Sequence, residues 1–179
     1  MLTYQAKPLF SDKNLRIPVE AKWELSELSE LSDGLSSYPV LEPLTVSGVL
    51  FNPGPDANGK ERICFDGTAR TVLQMSCDRC LERVDVSLET PVNASFVRQN
   101  GVETEITFDN MDEVPLEGDE IPLEEVILSD VSLSIPMKVL CKEDCKGLCP
   151  VCGKDLNFGA CDCEEDNLDP RWDALKSLF

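Results

Sequence analysis

The chain has 179 residues, of which 42% are hydrophobic, enough for one domain with a real core or one domain with a small appendage. It carries 34 acidic and 16 basic residues, a net charge of −18, and no histidine. Bare phosphate backbones repel such a chain at long range. Without histidine, the commonest general base and the usual ligand of an open catalytic metal are both missing.

The opening residues Met1-Leu-Thr-Tyr-Gln-Ala-Lys-Pro8 lack the charged and apolar regions of a signal peptide, and no apolar run reaches membrane-span length. The expectation is therefore a cytoplasmic protein, with its thiols kept reduced. Leu15, Ile17 and Val19 alternate and predict a short strand. From Trp23 to Leu31, Leu25, Leu28 and Leu31 form a helical stripe, read as a segment laid over the core. Leu44 to Phe51 predicts a strand ending at the turn-rich Asn52-Pro-Gly-Pro-Asp-Ala-Asn-Gly59. Ile63, Phe65, Ala69, Thr71, Leu73 and Met75 then share one side of a period-two run, with Gly67 read as a bulge. After Cys77-Asp-Arg-Cys80 the alternation resumes. Val84, Val86, Leu88, Thr90, Val92, Ala94 and Phe96 face one way, and Pro91 on the opposite side marks an edge or a bulge. Val102, Thr104, Ile106 and Phe108 continue the pattern. Pro122 to Leu133 predicts a helix with Pro122 in its first turn, Glu124 and Glu125 at its positive end, and Leu123, Val126, Ile127 and Val131 as its apolar stripe.

Six of the nine cysteines lie between Cys141 and Cys163. Their spacing is C-x3-C-x3-C-P-x-C-G followed by C-x-C. Cys149-Pro-Val-Cys152-Gly153 has the form of a metal knuckle, whose tight turn aims two sulfurs and several backbone N–H groups at one point. Pairs of such thiolates close a tetrahedral four-sulfur site suited to structural Zn²⁺. The candidate ligands are Cys77, Cys80, Cys141, Cys145, Cys149, Cys152, Cys161 and Cys163. Cys64, offset from the apolar face of its strand, is expected to be a packing cysteine. Two pairings stay open. One has two zinc ions, with Cys77 and Cys80 joining Cys141 and Cys145, and Cys149 and Cys152 joining Cys161 and Cys163. The other has a single zinc held by four of the six C-terminal cysteines. Asp169 and Pro170 predict the start of a last helix carrying Trp172, Leu175 and Leu178.

Between Arg98 and Lys138 there is no basic residue, while 11 are acidic. Glu117, Asp119, Glu120 and Glu124 in this stretch are candidates for docking something basic, against the plainer reading of a solvated face. Arg70, Arg79 and Arg83, with Arg98, would form a small basic patch able to touch RNA, although acids alternate with them.

The residues Cys77-Asp-Arg-Cys80-Leu81, Leu140 to Asn157, Cys161-Asp-Cys163 and Asp169-Pro-Arg-Trp-Asp-Ala-Leu175 resemble the bacterial YceD family, long described as a domain of unknown function. The resemblance runs from about Pro39 to the end, and residues 1–38 match loosely. It implies a role in accumulation of large-subunit ribosomal RNA, hence ribosome biogenesis, with no established enzymatic activity. Some members keep the Cys-x-Arg-Cys pair, here Cys77 and Cys80 around Arg79, and lack most of the C-terminal cysteines. That places the shared function on the strands around Arg79.

The expected fold is α+β. A mostly antiparallel, partly closed β meander with few short helices carries a C-terminal zinc-knuckle module. Residues 1–138 form the β-rich body, with a helix near 122–133. Residues 139–179 form a metal-binding tail whose terminal helix packs on that body. The expected function is a non-enzymatic ribosome biogenesis factor that engages a large-subunit precursor or a basic ribosomal protein. It would take no small-molecule substrate and bind no membrane. The alternatives are an RNA-binding zinc module and a thiol redox protein. Against the latter, Cys77 and Cys80 join two strands instead of opening a helix.

Overall fold

The structure, a computed structural model, describes residues 2–24, 35, 37–55, 59–98, 113–116 and 118–163. The elements in chain order are β1 (Tyr4–Gln5), α1 (Ala6–Ser11), β2 (Arg16–Trp23), β3 (Val40–Phe51), β4 (Arg62–Ser76), β5 (Arg83–Arg98), β6 (Glu113–Leu116), β7 (Glu120–Ile121), α2 (Leu123–Leu133) and a 3-10 turn over Leu156–Phe158. The chain divides into two compact units. One comprises Met1–Met75 with Asp85–Met137, and the other Ser76–Val84 with Lys138–Phe179. The loop between β4 and β5 thus groups with the cysteine-rich tail, not with the sheet that leads into it. No helix among the described residues is long and apolar enough to cross a membrane.

In the first unit a five-stranded sheet runs β2-β3-β4-β5-β6, and β1 pairs separately with β7. Among the described residues the sheet is open, with β2 and β6 at its two ends, and the expected partial closure is not found. The β2–β3 and β3–β4 pairings are antiparallel. The β5–β6 pairing is parallel, from Ser95 opposite Glu113 to Arg98 opposite Leu116. This one pairing departs from the expected antiparallel meander. Among the described residues, β5 has no partner on that side before Ser95. β5 runs between β4 and β6 and is not the edge strand that Pro91 predicts, but Pro91, with no N–H to give, lies in the part of β5 that meets no β6 residue. Pro18 is tolerated for the same reason on β2, the terminal strand.

The period-two pattern decides which face is buried. Ile63, Phe65, Ala69, Thr71, Leu73 and Met75 of β4 are buried, as are Leu88, Thr90, Val92, Ala94 and Phe96 of β5. The predicted strand around Ile17 extends to Trp23, which is buried at its end and is not the first residue of a helix. Gly67 is not a bulge. It lies in unbroken register opposite Gly48, and the irregularities of this ladder fall between Val40 and Thr45 instead. A Cβ at either glycine would stand 2.6 Å from Cζ of Phe65. The pair is glycine because the Phe65 ring lies across both, a contact that no side chain at these positions would permit.

Helix α2 begins one residue later than expected, with Pro122 as its cap. Its buried side is Leu123, Glu124, Ile127, Leu128 and Val131, rotated from the predicted stripe so that Val126 is only half-buried. Thr90 on β5 donates to the Ser134 hydroxyl just past the helix, at 2.6 Å. Helix α1, which the sequence pattern does not announce, buries Ala6 and Leu9. Arg98 of β5 stacks on its Phe10 ring, 4.3 Å from the centroid. The expected helical segment after Glu24, the strand over 102–108 and the helix after Asp169 lie outside the described residues.

Candidate metal centres

The second unit is built on two four-residue knuckles of the same geometry. In the first, the Arg79 N–H points at the Cys77 sulfur at 3.5 Å, and the Leu81 N–H closes on the Cys77 carbonyl at 2.9 Å. In the second, the Val151 N–H points at the Cys149 sulfur at 3.4 Å, and the Gly153 N–H closes on the Cys149 carbonyl at 2.9 Å. The base of each is a further backbone bond of 2.8 Å, from Cys77 N–H to Glu82 and from Cys149 N–H to Lys154. Both turns need a left-handed residue after the second cysteine. Gly153 supplies it at φ 72°, while Leu81 adopts φ 62°, an unusual conformation for a branched side chain.

Each knuckle is completed by two more sulfurs. Cys77, Cys80, Cys141 and Cys145 form one group, and Cys149, Cys152, Cys161 and Cys163 the other, with the four sulfurs of each within 4.8 Å of one another. This is the grouping that the two-site pairing expects. Cys64, half-buried in β4, belongs to neither group. In the first group Cys77 lies 3.8 Å from Cys145, and Cys80 3.5 Å from Cys141. A tetrahedral zinc with Zn–S bonds of about 2.3 Å has S···S edges of about 3.8 Å, so this spacing fits the ion. The donor set fits as well, since four thiolates suit a closed zinc site and leave no position for water.

The groups around Cys77, Cys145 and Cys149 favour the thiolate form that a metal needs. Burial pushes the Cys77 thiol up, but N–H groups of Cys141, Cys80 and Arg79 outweigh it and bring it down to about 6. The Cys149 thiol is also drawn down to about 6, by the N–H groups of Cys152 and Val151 and by the Cys161 side chain. Cys145 is lowered chiefly by the Asn157 side-chain amide, which donates to its sulfur at 3.4 Å. Once one thiolate of a set is charged, its neighbours resist. Cys163, beside Cys152 and Cys161, is pushed up to about 12, and burial with the nearby Cys80 thiol drives Cys141 up too. A divalent cation would remove that conflict.

Residues outside the motif hold the first group in place. The Asp78 carboxylate accepts the Val139 N–H at 2.6 Å, and the Asp78 N–H donates to the Val139 carbonyl at 2.9 Å. The Arg79 guanidinium donates to the Cys145 carbonyl at 2.6 Å, and the Arg79 carbonyl accepts the Leu148 N–H at 3.0 Å. Gly147, at φ 75°, passes so close that a Cβ there would meet the Arg79 carbonyl at 3.0 Å. Asn157 is held by Asp155 and also accepts the Lys146 N–H, at 3.0 Å. Sequence reading missed Asn157, Gly147 and the inward role of Arg79. An asparagine 12 residues from the cysteine it serves carries no spacing signal.

The candidate partner-binding residues fare differently. Glu124 is only 5% exposed and its carboxylate accepts the Leu2 N–H, so it is a buried structural group and not part of a docking surface. Asp119 pairs with Arg98 at 2.8 Å, and Arg70 with Glu89 at 2.8 Å. These contacts hold Arg70 and Glu89 charged more firmly than either would be alone. Glu120 and Arg83 are exposed, and Glu117 lies outside the described residues.

The fold and site thus define a β-sheet protein with a separate unit built around two four-cysteine clusters able to hold metal. The chain belongs to the YceD family. Residues 65–179 match the family model described as large ribosomal RNA subunit accumulation protein YceD. An uncharacterized protein of Mycobacterium tuberculosis is 33% identical over 120 residues, covering 66% of this chain and 56% of that protein. The Arabidopsis thaliana protein named large ribosomal RNA subunit accumulation protein YCED homolog 1, chloroplastic, is 31% identical over 144 residues, or 66% of this chain and 45% of that one. The uncharacterized protein YlbN of Bacillus subtilis is 28% identical over 157 residues, covering 87% and 86% of the two chains. The match with the mycobacterial relatives therefore spans little more than half of their length. No solved structure matches.

Proposed function

We propose that this protein is a non-enzymatic, cytoplasmic factor that supports accumulation of large-subunit ribosomal RNA, with its cysteine-rich unit held in shape by two zinc ions. The observation that carries the reading is the pair of closed four-sulfur sets. A catalytic zinc keeps a coordination position for substrate or water, whereas four cysteines fill all of them. The metal's contribution is then to fold the unit, not to activate a nucleophile. Both C-x-x-C pairs are parts of such sets, which speaks against a freely cycling dithiol.

The partner is a basic ribosomal protein or a precursor of the large subunit, attracted by the net charge of −18. Glu120 and Glu125 are exposed carboxylates on the described part of the acidic stretch. Direct RNA binding is the weaker reading, because Arg70, Arg79 and Arg98 are each engaged within the protein. The test is affinity purification of the tagged protein from cells at low and high salt. Ribosomal proteins or large-subunit precursors should co-purify at low salt and be lost at high salt. Their absence at low salt would defeat the proposal, and salt-sensitive binding of purified protein to ribosomal RNA alone would move it to the RNA-binding reading.

A further inference from the structure

The two cysteine sets differ in burial and in what they tie together. Cys77, Cys80 and Cys145 are 0%, 7% and 2% exposed, and Val84, Leu140 and Leu148 pack against them. This set joins two segments far apart in sequence, which backbone bonds between Asp78 and Val139 and between Arg79 and Leu148 also clasp. In the other set only Cys149 is buried. Cys152 is exposed, and Cys161 and Cys163 are half-exposed. All four come from one stretch of 15 residues, and the segment from Val151 to Lys154 between them is exposed as well. Oxidation of thiols follows access, and a neighbouring thiol is needed to complete a disulfide. The outer set, with the exposed Cys152, meets both conditions, whereas no cysteine of the inner set is exposed and Cys141 alone among them is half-buried.

We infer that the Cys149, Cys152, Cys161 and Cys163 cluster is a peroxide-sensitive modification site, which releases its metal on oxidation while the Cys77, Cys80, Cys141 and Cys145 cluster stays intact. The inference rests on the reading that both sets hold zinc. The chemistry needs hydrogen peroxide as the two-electron oxidant. The Cys152 sulfur attacks one peroxide oxygen, the O–O bond breaks, and hydroxide leaves, giving a sulfenic acid. The Cys161 or Cys163 thiolate then attacks the Cys152 sulfur, forming the S–S bond and expelling a second hydroxide. Two sulfurs are oxidised and one peroxide is reduced. Only two thiolates of the set would then remain to hold a metal, too few for a closed site.

The test treats the full-length zinc-loaded protein with peroxide in the presence of a chromogenic zinc chelator. Cysteines are then mapped by differential alkylation and mass spectrometry. One equivalent of zinc should leave at least roughly tenfold faster than the other, and the first disulfide should lie within Cys149–Cys163. The Cys152→Ser variant should lose the fast phase and keep the slow one. Equal rates for the two ions, or a first disulfide that includes Cys77 or Cys145, would overturn the inference. The zinc count before peroxide tests the metal reading separately. In protein isolated without zinc, the order in which cysteines oxidise still decides whether the outer set is the sensitive one.

Discussion

Asn157 shows how much of the inner cluster depends on a residue that binds no metal. Its amide reaches the Cys145 sulfur, its oxygen takes the Lys146 N–H, and Asp155 fixes its rotamer. Groups of this kind usually matter to metal affinity by about 10–100-fold. Asn157→Ala should therefore weaken zinc binding at the inner cluster by about tenfold or more in a chelator competition, with the sheet unaffected. Unchanged affinity of both ions would show the contact to be incidental. Phe65 makes a comparable point within the sheet. Its ring occupies the space that a methyl at Gly67 or Gly48 would need. Gly67→Ala should cost about 1–3 kcal/mol, read as a lower urea midpoint with an unchanged slope. A neutral substitution would mean that the ring moves aside freely.

At the scale of elements, the strands were legible and their meeting points were not. Alternation in β4 and β5 marked the buried side almost residue by residue, because one face of each strand is wet and the other dry. The direction of β6 was not readable, since pairing direction depends on a crossover rather than on any periodicity in Glu113–Leu116. Helix α1 escaped because Ala6–Ser11 is too short to show a stripe. Glu124 misled because a carboxylate in a first helical turn is normally solvated, and only the fold reveals that Leu2 covers it. The cysteine spacing gave all eight candidate ligands. The choice between pairings needed three dimensions, since Cys77 and Cys145 meet across 68 residues. The two units also predict how metal loss spreads. The inner cluster's apolar neighbours number only a few side chains, too little to order that unit without its metal. Chelation should abolish amide hydrogen-exchange protection at 76–84 and 138–163 while β2, β3 and the body of β4 stay protected. Melting of the sheet as well, or no change at either unit, would contradict this.

For the whole molecule, the proposed function divides the labour between a sheet ordered by its own core and a cysteine-rich unit ordered by metal. The charge of −18 belongs to the molecule rather than to any one patch, because two of the acids singled out from the sequence, Glu124 and Asp119, are buried or paired. Structural zinc sites supply about 10–16 kcal/mol of folding free energy at neutral pH, so their number is a property of the native state and survives gentle isolation. Native mass spectrometry of the protein and of Cys77→Ser tests this most directly. Two zinc ions per chain are expected, with one lost in the variant and the other retained. A metal-free native protein, or a variant that keeps the full complement, would contradict it.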